Sequence, residues 1–129
     1  METTATAAAA PENETVRQRL EREADEAKKV VESKKPGREV RAAFAEEFEE
    51  FIVFVTPTRA ELRMYMAKRE NEKEGVLAAQ EFLVDVCVMF PDKAGLAKQL
   101  DRRPGLFYKW AGEIVESTGL IAQVTQKKL

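Results

Sequence analysis

Phe51-Ile52-Val53-Phe54-Val55 is β-branched or aromatic at every position, followed directly by Thr56-Pro57. Such a run favours extended backbone, and the proline ends it. A lone strand leaves its backbone groups unpaired, so this one requires a partner. The only nearby candidate is Glu39 to Ala45, where Val40, Ala42 and Phe44 alternate as a strand does. Val40, Phe44, Phe48 and Phe51 also lie at helical spacing, so a helix over 39–50 competes with the strand. The hairpin reading, 39–46 with 50–56, gives the central run its partner. Its connection, Glu46-Glu47-Phe48-Glu49-Glu50, lacks an Asn-Gly type of turn signal.

Helical signals lie on both sides of this unit. Upstream, Thr15-Val16-Arg17-Gln18 fits a capping box, and Val16, Leu20, Ala24, Ala27 and Val31 recur at steps of three and four. The stripe is thin and surrounded by charge, with Arg17/Glu21, Arg22/Glu26 and Asp25/Lys29 at i,i+4 spacing. Pro36-Gly37 ends this helix. A helix so polar cannot stabilise itself by burial alone. It packs lightly on the domain or waits for a partner. Downstream, Thr58-Arg59-Ala60-Glu61 is a second capping box, leading into Leu62, Tyr65 and Met66. Polar Asn71 to Gly75 separates this helix from another over Val76 to Phe90, with Val76, Leu83, Val86, Cys87 and Phe90 expected to face the core. A short helix over 92–101 carries Leu96, Ala97 and Leu100. A last one runs from Pro104-Gly105 to about Ser117, with Leu106, Trp110 and Ile114 on one stripe and Gly119 beyond its end.

The expected fold is therefore α+β, mainly α: an N-terminal helix, a small β-hairpin, and a C-terminal bundle of about four short helices. Residues 1–14 read as a flexible tail and 15–35 as a charged amphipathic helix. Residues 36–129 read as a single domain, with the hairpin over 39–56 and the helical part over 58–129.

Composition narrows the function classes. Of 129 residues, 44% are hydrophobic and 34% charged, so the chain can bury a core. The net charge of −2 supplies no global positive field to attract nucleic acid or anionic lipid. Histidine is absent, which removes Ser-His and Cys-His pairs, histidine general bases and histidine metal sites. The single cysteine, Cys87, lies within Val-Cys-Val-Met-Phe and reads as a small buried hydrophobe. Carboxylates occur in runs such as Glu46-Glu47, which read as solvated faces. Asp85 interrupts an apolar helix and is expected to face solvent or pair with a Lys or Arg. There is no Walker loop, GxGxxG or EF-hand loop. The chain reads as non-catalytic, with no cofactor and no metal. No segment is apolar and long enough to span a membrane, and the N-terminus has no signal-peptide pattern, so a cytoplasmic location is expected.

Residues 96–110, Leu-Ala-Lys-Gln-Leu-Asp-Arg-Arg-Pro-Gly-Leu-Phe-Tyr-Lys-Trp, resemble the core of a helix-turn-helix. Asp101 stands where the turn usually has glycine, and Arg102 where a buried aliphatic is usual. Between Asp92 and Glu116 five basic residues face four acidic ones, a weak balance for binding phosphate. Two helices packed by leucines and aromatics account for the same pattern. A nucleic-acid-binding regulator using residues 96–110 is the alternative reading. Phe107, Tyr108 and Trp110 cannot all face one core stripe of a helix, and they are the candidate protein-binding residues.

The order of motifs also resembles the small tail assembly chaperones of long-tailed bacteriophages. The shared features are the strand at Phe51 followed by Pro57-Thr58-Arg59, an apolar helix containing Cys87, then Phe90-Pro91-Asp92 and Leu96, a Pro104-Gly105 helix, and a Lys127-Lys128-Leu129 end. The similarity covers residues 38 to 129. It implies a hairpin followed by a helical bundle. It also implies a non-catalytic chaperone that binds the tape measure protein and keeps it soluble until tail tube subunits assemble around it. Self-association, residence in the cytoplasm of the infected host and absence from the mature virion are further implications.

Overall fold

The computed structural model describes residues 13–120. Its elements in chain order are α1 (Val16–Lys34), β1 (Val40–Ala45), a 3-10 turn (Glu46–Phe48), β2 (Glu50–Val55), α2 (Arg59–Glu70), α3 (Gly75–Cys87), β3 (Val88–Phe90), α4 (Lys93–Arg102) and α5 (Leu106–Glu116). The fold is α+β and mainly α.

The hairpin pairs in one unbroken antiparallel register, from Val40 opposite Val55 to Ala45 opposite Glu50. Its connection is the 3-10 turn closed by Glu49 at φ 56°, ψ 40°. A glutamate holds the left-handed conformation that an Asn-Gly turn would have advertised, so the sequence carried no turn signal. The β2 strand is central, with β3 antiparallel on its other side. One sheet face carries Phe44 and Phe51 under α1. The alternate positions, Ala43, Ala45, Ile52 and Phe54, are buried in the cluster that also holds Leu83, Trp110 and Ile114. Burial on both faces explains why β2 is apolar at every position from Phe51 to Val55 rather than at alternate ones.

Both capping boxes form: Thr15 with Gln18, and Thr58 with Glu61. Helix α1 packs on β1 and β2, with Leu20, Ala24 and Val31 buried. Its stripe is thin but lies flat on the sheet, so the charged helix shares the core. Arg17 pairs with Glu21 as its spacing suggests, whereas Arg22 reaches back to Glu14 with two hydrogen bonds of 2.9 and 3.1 Å. Arg22 and its neighbours hold the Glu14 carboxyl below its ordinary range, chiefly through those hydrogen bonds. Gly37 takes φ 82° just beyond the helix end, a conformation that favours glycine.

The expected helix over Val76 to Phe90 is corrected. It ends at Cys87, and Val88-Met89-Phe90 is a strand on the free edge of β2. Pro91 disfavours helical backbone at Phe90, and β2 offers unpaired groups that the segment satisfies. Leu83 and Cys87 are buried as expected, and Val86 is partly buried. Val76, in the first turn of α3, is 50% exposed, and Phe90, on the edge strand, 41%. Asp85 pairs with Lys93 at 2.6 Å on the surface. Among the described residues no helix is long and apolar enough to cross a membrane.

Candidate functional site: an apolar groove between a helix and a sheet edge

An aromatic row crosses the sheet on the face beneath α1. Phe44 and Phe51 are register partners with ring centroids 6.3 Å apart. Phe51 in turn stacks on Phe90 at 5.4 Å, with 20° between the ring planes. Phe44 ends the row under the Arg17 guanidinium, which sits 4.2 Å from the ring centroid. Phe90 ends it on the sheet edge, partly exposed.

Beyond Phe90 the row opens into a groove of about 880 Å³ between α1 and the β3–Pro91 segment. Its apolar lining is Ala27, Val30, Val31, Phe51, Met89 and Phe90, while Glu23, Glu26 and Asp92, with Lys34 and Lys35, supply its charges. Val30 is 54% exposed, so the groove presents apolar surface to water. At a rise of about 1.5 Å per residue, the α1 wall from Glu23 to Lys34 is about 16 Å long. The wall therefore has an acidic end, an apolar centre and a basic end. Such a trough suits a short stretch of amphipathic chain.

The three residues singled out from the sequence separate in space. Tyr108 is 57% exposed on α5, and Phe107 packs edge-on to it at 5.1 Å while resting partly against the core. Trp110 is completely buried. Its expected place in a binding surface is corrected: its indole N–H reaches Gln99 inside the molecule, which fixes the ring in the core. None of the three lines the groove. Val30 and Phe90 were missed because each lies on an element whose edge is set by tertiary packing. The sequence shows only that Val30 adds a second apolar position beside Val31.

The α4–turn–α5 unit over 96–110 forms, with Arg103-Pro104-Gly105 between its helices. Three of its four cations face partners within the chain. Arg102 binds Glu50 at 2.6 Å, the Arg103 guanidinium lies 4.8 Å from the Phe48 ring centroid, and Lys109 is 3.6 Å from Glu113. Cys87 is buried, and desolvation, the largest cause, together with the Glu61 charge pushes its thiol up to about 12, away from nucleophilic form. Among the described residues no group of three or more acidic, Cys or His side chains is placed to hold a metal. Compared with family models, with curated proteins and with solved structures, this chain finds no match.

Proposed function

We propose that this protein is a non-catalytic assembly chaperone of the long-tailed phage type. It holds an apolar helical stretch of a tape measure protein and keeps that chain soluble until tail tube subunits enclose it. The observation that carries the reading is the groove between α1 and β3, where Val30 and Phe90 stand exposed in an apolar trough with charges of both signs around it. Reversible shielding needs such a surface and needs no nucleotide: burying apolar area supplies the affinity, and the charges select orientation. The chaperone acts in the cytoplasm of the infected host and leaves before the virion is complete.

Co-expression with the long helical protein tests this. Soluble recovery of that protein together with the chaperone, lost when Val30 and Phe90 are both changed to Ser, is the expected result. An insoluble partner in the presence of the wild-type chain would overturn the reading. The helix-turn-helix alternative predicts salt-sensitive DNA binding weakened by Arg102→Ala, Arg103→Ala and Lys109→Ala. No structural observation favours it, since each of those cations already faces an internal partner.

A further inference from the structure

The two walls of the groove offer different things to a bound chain. Along α1 the chemistry changes in one direction: Glu23 and Glu26 first, Val30 and Val31 at the centre, Lys34 and Lys35 last. These charges are available. Glu26, Lys34 and Lys35 are exposed, and among the described residues none of the three forms an ion pair. Glu23 has only a loose 4.0 Å approach from Arg19. The opposite wall runs from Met89 to Pro91, and Pro91 has no backbone N–H to donate to an added strand. Asp92 behind it already accepts the Gly95 N–H at 2.8 Å. An extended chain would cross the trough in about five residues and turn alternate side chains away from it. A helix of about three turns covers the same length with a continuous apolar stripe.

We infer that the groove takes an amphipathic helix antiparallel to α1, acidic at its N-terminal end, apolar at its centre and basic at its C-terminal end. The inference rests on the groove being a client site, and it adds which helices that site accepts. Burying apolar surface has no direction, so Val30 and Phe90 attract a helix laid either way. The charges decide. Complementarity sets the partner's cations over Glu23 and Glu26 and its anions over Lys34 and Lys35. The helix dipole then fixes the chain direction. Carboxylates are stabilising at a helix N-terminus and ammonium groups at its C-terminus, so the helix that best sustains this charge order starts beside Lys34 and ends beside Glu23. A parallel helix would need cations in its first turn and anions in its last, against its own dipole.

Two stapled peptides of about eighteen residues, long enough to span the groove, test this on the purified chain. Both carry leucines on one face and a staple on the other that keeps them helical. One has glutamates near its N-terminus and lysines near its C-terminus; the other has these charges exchanged. By calorimetry at low salt the first is expected to bind about tenfold more tightly. The charge-swapped protein E23K/E26K/K34E/K35E is expected to prefer the second, an inversion that peptide helicity cannot produce. On the wild-type chain, a nitroxide at the lysine end of the first peptide is expected to broaden the amide resonances of Glu23 and Glu26 and spare those of Lys34 and Lys35. That measurement reads direction without any protein variant. Equal affinity for the two peptides, lost in V30S/F90S, would overturn the inference and leave the client site standing. Broadening at Lys34 and Lys35 instead, or an unchanged preference in a folded charge-swapped protein, would do the same. Binding of neither peptide would overturn both.

Discussion

The indole Nε1–H of Trp110 donates to Oε1 of Gln99 across 2.6 Å inside the molecule, where Trp110 is fully buried and Gln99 is 3% exposed. The Gln99 amide then donates to Oε1 of Glu50 at 3.2 Å and to the Phe51 carbonyl at 3.3 Å. Glu50 also accepts from Arg102 at 2.6 Å. One buried amide thus ties α5 and α4 to the start of the central strand, and its oxygen and nitrogen both have partners. Trp110→Phe leaves Gln99 Oε1 without its donor. The expected loss is about 1–3 kcal/mol of unfolding free energy, measured by urea denaturation. Gln99→Leu in the same background should recover part of it by removing the stranded acceptor, and a Gln99→Leu change that adds to the loss would contradict this account.

The groove residues should separate binding from stability. Val30→Ala removes a half-exposed branch and is expected to cost less than about 1 kcal/mol of stability, whereas Phe90→Ala removes a partly exposed ring stacked on Phe51 and is expected to cost about 1–2 kcal/mol. Both should reduce capture of an apolar helical partner in a pull-down. Ile52→Ala, at a fully buried position of β2, should instead lower the unfolding free energy by about 2–5 kcal/mol. Equal stability losses at all three positions would show that the groove is part of the core.

Cys87 should be silent to alkylation in the folded state. Its thiol is pushed up to about 12 by burial first and by the Glu61 charge second. At pH 8 maleimide labelling should therefore await unfolding and accelerate strongly in urea. A thiol whose folded pKa lies above the unfolded value of about 8.5 keeps its proton on folding, so stability falls as pH rises between that value and about 12. Cys87→Ala should flatten this alkaline limb while costing some packing.

Glu49 holds φ 56° at the hairpin turn. A non-glycine residue there carries a steric cost of about 1 kcal/mol or more, while its surface pair with Arg19 offsets little of it. Glu49→Gly should leave stability unchanged or raise it by up to about 1 kcal/mol, read from thermal unfolding. A clear loss would mean that the Arg19 pair anchors α1 to the turn.

What the sequence determined by itself was local. The Thr15 and Thr58 capping boxes, the stop at Pro36-Gly37 and the hairpin from Val40 to Val55 depend on hydrogen bonds and steric limits within a few residues, or on the pairing need of one strongly extended run. The tertiary structure decided what depends on distant neighbours. Val88-Met89-Phe90 continues an apolar helix in the sequence and becomes a strand because the free edge of β2 takes it up. Trp110 falls both on the apolar stripe of its helix and among the candidate interface aromatics, and the packed structure decides between them: it is buried with Leu106 and Ile114, its N–H met by Gln99 eleven residues earlier. The groove is the clearest case. Val30 and Phe90 lie sixty residues apart with no shared motif, and they line one surface only because α1 packs flat on a sheet whose last strand is β3.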